Sequence, residues 1–502
     1  MRRCISAMNR SLAVLLAAGL AIAPLDAKPK VDKAAEALKA QLRAHITELA
    51  SDAYEGREPG TEGEAKTLRY IGKQWFELGL ESGTNDPGHA WFKPVTLVAR
   101  EPDGSAAAFS RKGRRLYLPL GSTLMLTSGK RSLVENAPVL FVGKGDVIPP
   151  RSELAGRVAL LLDGEIEDST RQNALLAAGA SAVLTVLDGD RTLENVTAHR
   201  SRVGYALASE ELGGDLEGFI TADGLDRVLT GSNQSTASLK AMVAAPGFAP
   251  RLLDIAATLE ATTRETRIKT HNLIGKIPGK RGDGGAVLLL AHWDHFGRCA
   301  PPPAEHEICN GAIDNASGLA VLTEVARRLV KGPAPDRDVY FLATTGEELG
   351  LLGAHAFAEN PPLPLGQIVA AFNIDSVALG PAGQPFAVVG KGMTRIDPQI
   401  AAAAKAAKVR LVADDKANAY VRRQDGWALM SHDVPALMIS SGWSDLGRVE
   451  RFFEGDYHRP SDQVKPGIEL GGAADDVVFL SNLARWFADP KKVPLAAAAP
   501  RK

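Results

Sequence analysis

Apolar residues recur along this chain in textures that change from segment to segment. Over residues 31–49 they fall at helical spacing, which predicts an amphipathic helix. A loop follows from Ser51 to Gly60, after which Thr61, with Glu64 three residues on, has capping-box spacing for a second helix that Gly79 stops. From about Trp91 short apolar runs alternate with Gly and Pro. Residues 138–142, 158–162 and 182–186 read as strands, with a helix near 169–178 completing a strand-helix-strand unit. From residue 252 the pattern cycles through strand, loop and helix. The almost unbroken apolar runs 286–290, 339–343 and 368–372 have the texture of strands buried on both faces. The expected fold class is therefore α/β: a mixed, largely parallel central sheet flanked by helices, with a strand-rich module inserted in it. The segments expected are 28–99 (first helices), 100–248 (the insert), 249–488 (the α/β domain) and 489–502 (a disordered tail).

Composition narrows the partners. With 502 residues, 45% of them hydrophobic and 23% charged, the chain is long enough for two domains and has the usage of a globular protein. Lys and Arg number 58 against 59 Asp and Glu, so no global field recruits nucleic acid or an anionic membrane. At the start, Arg2, Arg3 and Arg10 precede an apolar run over 12–23, and small residues follow up to Ala27. This is the layout of a secretory signal peptide covering 1–27, too short to span a bilayer. No later run approaches a membrane span, and the expected location is secreted or periplasmic. Cys4 leaves with the signal, and Cys299 and Cys309 remain. In an oxidising compartment they favour a disulfide, the alternative being two buried thiols.

The candidate chemistry lies just past the buried strands. His292 and Asp294 follow the run 286–290, Glu347 and Glu348 follow 339–343, and Asp375 follows 368–372. In open α/β sheets ligands collect outside the carboxyl ends of strands, so these side chains are expected in one crevice. Asp314 sits on a tight loop before a helix over 317–329, with Gly311 and Gly318 letting the backbone pass close to the ions. A carboxylate on such a turn can offer one oxygen to each of two ions about 3.5 to 4 Å apart. With His458 in the segment Asp456–Asp462, the set is two imidazoles and three carboxylates. That mixture suits zinc, with cobalt or manganese as substitutes. Glu347 and Glu348 are adjacent, so one can bind metal while the other moves a proton; adjacency leaves open which does which. Asp294 is placed to hold the His292 imidazole through its second nitrogen, and Asp462 to do the same for His458. Taken singly, each motif has a structural explanation; Glu-Glu before a helix is commonly a dipole effect. Their order and common placement set them apart.

The segments HWDHFG, NGAIDNASG, TTGEELGLLGA, FNIDSV and YHRPSD, in this order, resemble the zinc-dependent aminopeptidases of metallopeptidase family twenty-eight. That family also holds glutamate carboxypeptidases and the related glutaminyl cyclases. The resemblance runs from about Ser51, where SDAYEGREPGT is similar to the start of the family's catalytic domain, to Asp462. It implies two zinc ions held by His292, Asp314, Glu348, Asp375 and His458, with Asp314 bridging. It further implies Glu347 as general base for attack by a metal-bridging hydroxide, on peptides with a free N-terminus. The strand-rich insert is similar to a protease-associated domain. Where many members carry R-S-D-H this chain has Arg423-Gln424-Asp425-Gly426, which leaves side-chain preference open. Arg422 and Arg423 could hold a substrate carboxylate, the mark of a carboxypeptidase, or be surface charges. A glutaminyl cyclase and a catalytically silent binding ectodomain are the remaining alternatives. The other histidines, His295 and His306 included, are expected to be structural or solvated. Nothing in the pattern fixes an oligomeric state.

Overall fold

The strand Ala286–His292 is buried at every position. It pairs in parallel with Asp338–Thr344 on one side and Ile368–Asn373 on the other, and Ala436–Ser440 extends the parallel set. Antiparallel strands close both flanks: Ala387–Val389 on Ala436–Ser440, and Arg251–Ile277 on Asp338–Thr344. Alternation along a strand sends successive side chains to opposite faces. Val287 and Leu289 accordingly join one core with Leu42, Trp75, Leu322 and Leu480, from the helices Lys33–Leu49, Glu62–Leu78, Gly318–Val330 and Gly471–Phe487. Leu288 and Leu290 join the opposite core with Phe357 and Leu429. The result is the mixed α/β sheet between helices that the apolar runs predict.

This computed structural model describes residues 32–164, 168–189, 191–210, 214–281 and 284–495. The expected signal segment, and residues 496–502 of the expected tail, lie outside them. Among the described residues no helix is long and apolar enough to cross a membrane.

Between residues 123 and 221 the strands Arg131–Phe141, Val158–Leu162, Ala182–Leu187 and Leu216–Thr221 form a parallel run, with Thr123–Thr127 antiparallel at its edge. They have a core of their own around Phe141, Leu160, Leu184 and Ile220. Two long strands, Phe92–Arg111 and Arg251–Ile277, pair antiparallel from Leu273↔Phe92 to Ala256↔Ser110; Leu273 of the second joins the α/β core, and Leu259 with Phe109 of the first joins the other. Residue 100 therefore lies within a continuous strand. The short strand Gly204–Leu207 pairs with Leu97–Arg100, and Leu207 packs with Leu97 and Leu352 of the α/β domain.

The second helix starts after Thr61 and ends at left-handed Gly79, but its start is not a capping box. The Thr61 hydroxyl donates to the Glu58 carbonyl, and the Glu64 carboxylate accepts from the Gly60 amide instead of the Thr61 amide. The preceding turn claims both side chains.

Candidate metal centre

His292 ends its strand directly beside Thr344, the last residue of its parallel neighbour, so Glu347 and Glu348 emerge next to it after a short turn. Asp375 follows Asn373 at the end of the strand on the other side. Asp314 sits in the turn Ala312–Ser317 that feeds the helix Gly318–Val330. Two glycines allow that turn. Gly311 has φ 55°, and a Cβ there would lie 1.9 Å from the Asp314 carbonyl oxygen; a Cβ on Gly318 would lie 2.4 Å from the Ile374 carbonyl oxygen. The close approaches these glycines permit include the Asp314 and Ile374 carbonyls and the Asn315 side chain. Asn315 closes the turn, accepting from the Gly318 amide at 2.9 Å and donating to the Ile374 carbonyl at 3.0 Å. His458 has a left-handed backbone, φ 57°, and its ring stacks on Tyr457 with centroids 3.6 Å apart. A non-glycine residue in that conformation costs about 1 to 3 kcal/mol, and such strain clusters at functional sites.

The side chains divide into two groups that share Asp314. His292 Nε2 lies 3.2 Å from Asp314 Oδ1, 3.5 Å from Asp375 Oδ1 and 4.0 Å from Glu347 Oε2. His458 Nε2 lies 3.5 Å from Asp314 Oδ2 and 2.9 Å from Glu348 Oε2. Each Asp314 oxygen thus faces a different imidazole. Donor atoms of His292, Glu347 and Asp375, and of His292, Asp314 and Glu348, come within 4.8 Å of one another.

Electrostatics reflect this crowding. Burial pushes the Glu347 carboxyl well above the ordinary carboxylate range, with His292 opposing and Glu348 and Asp375 reinforcing. Burial also raises Asp375. At Asp314 burial acts upward too, but His292 and His458 outweigh it and hold the carboxyl below its ordinary value. Burial works against the charged form of His458, yet Asp314 and Glu348 raise it to about 9. Four carboxylates converge here, while the buried Nε2 atoms of His292 and His458 make no hydrogen bond of acceptable geometry. Buried charge needs a partner, and inward-facing imidazole nitrogens among carboxylate oxygens are a donor set suited to divalent cations.

The supporting residues differ from expectation in several places. The His292 Nδ1 atom lies 3.2 Å from the backbone carbonyl of Asp294 and 3.9 Å from its carboxylate. That carboxylate accepts from the amides of Glu347 and Glu348, at 3.1 and 3.4 Å. Asp294 therefore fixes the Glu-Glu turn, and its carbonyl fixes the imidazole. Asp462 does not touch His458; it accepts from the amides of Ile313 and Asp314, each at 3.0 Å. His295 is not a bystander, because its Nδ1 lies 2.5 Å from Glu348. His306, by contrast, pairs at the surface with Asp52. Arg57, which sequence reasoning left without a role, is fully buried and donates to the carbonyls of Leu49, Trp293, Asn310, Gly311 and Asp314. Burial lowers its guanidinium to about 10, while Asp314, Asp462 and Asp294 act to raise it. Its place in the SDAYEGREPGT segment was the available signal. Cys299 and Cys309 form a disulfide, with Cα atoms 5.7 Å apart, in the loop joining the His292 strand to the Asp314 turn.

Beside the candidate ligands is a small cavity lined by Asp314, Glu347 and Asp375, and also by Tyr420, Arg423, Trp443, Phe453 and Tyr457. Burial and the neighbouring carboxylates raise the Tyr457 phenol far above its usual value, so it stays protonated.

Residues 272–475 match the model of Peptidase family M28. Over 278 residues the chain is 27% identical to aminopeptidase YwaD of Bacillus subtilis, covering 55% of this chain and 51% of that protein. Over 182 residues it is 30% identical to the probable glutamate carboxypeptidase LAMP1 of Arabidopsis thaliana, covering 35% of this chain and 23% of that protein. The chain thus spans about half the length, or less, of these curated relatives. In fold it is similar to the aminopeptidase from Aneurinibacillus sp. strain AM-1, with a TM-score of 0.52 and 18% identity over 92% of this chain and 96% of that one. The five motifs all fall inside the matched segment, and over residues 272–475 the chain is similar to peptidase family M28.

Proposed function

We propose that this protein is a two-zinc aminopeptidase that removes the N-terminal residue from peptides. The observation that carries this reading is the division of the ligands about Asp314, one of whose oxygens faces His292 and the other His458. His292, Asp314 and Asp375 would hold one ion, and Asp314, Glu348 and His458 the other. When bound, such a pair supplies Lewis-acid polarisation of the scissile carbonyl and acidifies water. Glu347 takes the proton from the attacking water and returns it to the leaving amine; a carboxyl raised by burial is matched to both steps. Its neighbour Glu348 is turned toward His458 and His295, which favours the ligand role there. The Asp294 carboxylate keeps both glutamates aimed by holding their amides. Tyr457, protonated and facing the cavity, donates to the oxygen that becomes negative in the tetrahedral state.

Export through the signal segment is part of the proposal, and the Cys299–Cys309 bridge fits an oxidising compartment. So is a protease-associated module over 100–248, which has its own core and reaches the α/β domain through Leu207.

The test is to incubate purified full-length protein, its zinc quantified, with matched peptides bearing free or acetylated N-termini, and to identify products by mass spectrometry. Release of the first residue only from free amines, abolished by chelation, is the expected result. Cleavage of the acetylated peptides from the other end would reassign the protein as a carboxypeptidase.

A further inference from the structure

The two neighbouring arginines do different things. Arg422 lies over Trp427, 5.0 Å from the ring centre, and is not part of the cavity lining. Arg423 is the cationic member of that lining. Its guanidinium sits 5.0 Å from the Phe453 ring centre and 5.6 Å from that of Tyr457, and it donates to the Tyr457 hydroxyl at 3.5 Å. The side chain is exposed, and among the described residues no carboxylate lies within ion-pair distance of it. It is a charge held against aromatic faces, beside the reacting groups, with no ion pair among the described residues.

We infer that Arg423 recognises a carboxylate on the substrate. The inference rests on the peptidase reading and adds a substrate class to it. The rest of the ionisable lining is Asp314, Glu347, Asp375, Tyr420 and Tyr457. In the proposed site Asp314 and Asp375 are taken up in holding metal and Glu347 favours a cationic α-amine, so Arg423 is the cationic side chain of this lining left to face an anionic group. A guanidinium is suited to this, since its planar fork matches a carboxylate in two parallel hydrogen bonds. The aromatic contacts orient the fork in advance, which reduces the entropy lost on binding. The cavity, about 20 Å³, has room for little more than a water molecule. A substrate group therefore meets Arg423 at the exposed rim of this cavity rather than inside it. The substrate is then a short molecule with an amine near the acids and a carboxylate near Arg423. That carboxylate is either an acidic side chain on the first residue or the terminal carboxylate of a dipeptide.

The experiment uses full-length, zinc-loaded protein carrying Glu347→Gln to suppress turnover. Calorimetry measures affinity for glutamate against glutamine, and for glycylglycine against glycylglycine amide. The acid of one pair should bind about tenfold more tightly than its amide, the scale of a charge-assisted hydrogen bond. Discrimination in the first pair identifies the side chain as the source, and in the second the terminal carboxylate. Adding Arg423→Gln should bring that ratio to about one, and Arg423→Lys to an intermediate value, since charge remains but the fork does not. Equal affinities in both pairs, or a ratio that survives Arg423→Gln, overturn the inference. Leucine amide hydrolysis by the wild-type protein is followed separately. If it fails while acid selectivity persists, the peptidase reading falls and the carboxylate site stands.

Discussion

At the scale of single residues the site separates the candidate ligands from the groups that hold them in place. Glu347→Gln keeps shape and volume but removes the proton acceptor. Turnover should fall by about 10²- to 10⁴-fold with zinc content unchanged, measured by steady-state kinetics alongside metal analysis. Retention of substantial activity would remove Glu347 from the base role. Arg57 makes the opposite kind of prediction. Five carbonyls from three segments converge on its guanidinium, so Arg57→Met removes their shared donor from a buried site. The expected loss is at least about 3 kcal/mol in urea unfolding, and Arg57→Lys should recover little, because one ammonium cannot span five acceptors. His292, Glu348, Asp375 and Asp314 were legible in the sequence because each follows an apolar strand or sits in a glycine-framed turn, whereas His458 comes after the helix Leu446–Gly455 and was marked by the family resemblance. The roles of Asp294 and Asp462 were not. Both carboxylates accept from backbone amides, and an amide carries no side-chain signature for a sequence to display. His295 was missed for a related reason: its partner, Glu348, is 53 residues away in the chain.

Elements supply the next level of constraint, and one joint away from the candidate ligands carries a buried carboxyl. Asp476, on the helix Gly471–Phe487, is fully buried and accepts from the hydroxyls of Ser440 and Ser441 and from the Ser441 amide, at 2.6, 2.7 and 2.8 Å. It ties that helix to the end of the strand Ala436–Ser440. Burial raises its carboxyl to about 7, and the three donors offset only part of the effect. An acid whose folded pKa exceeds its unfolded value binds its proton more tightly when folded. The stabilisation this gives is full below about pH 4 and is lost as pH rises toward 7, a change of about 4 kcal/mol at most. Asp476→Asn cannot titrate. The stability difference between wild type and variant should therefore shift against the wild type between pH 5 and pH 8, read as urea midpoints at each pH. Parallel behaviour of the two proteins would show that the group does not titrate in this window. Elements themselves were largely readable: the apolar runs at 158–162, 286–290 and 368–372 all lie inside buried strands. The length of Arg251–Ile277 was not, because polar residues such as Glu260, Arg264 and Glu265 break its pattern where the strand leaves one core for the other.

For the whole molecule the question is how the strand-rich segment and the peptidase fold act on each other. Pairing of Phe92–Arg111 with Arg251–Ile277 makes a two-stranded bridge, and the strand Gly204–Leu207 folds back along it. Its Leu207 is 4% exposed and joins Val95, Leu97 and Leu352 in one apolar cluster, with Leu349 at its margin. Leu349 and Leu352 directly follow Glu347 and Glu348, and the Leu351 and Leu352 amides bond back to the carbonyls of Glu347 and Gly346. A residue from the insert thus supports the turn that carries the proposed base. Leu207→Ala should cost about 2 to 5 kcal/mol of stability through the cavity it leaves. If the support is mechanical, turnover should also fall at a temperature where the variant remains folded, with zinc content and KM little changed. A turnover number equal to wild type would mean that the insert contributes stability alone. A rise in KM at constant turnover would instead place its influence on the cleft rather than on the Glu347 turn.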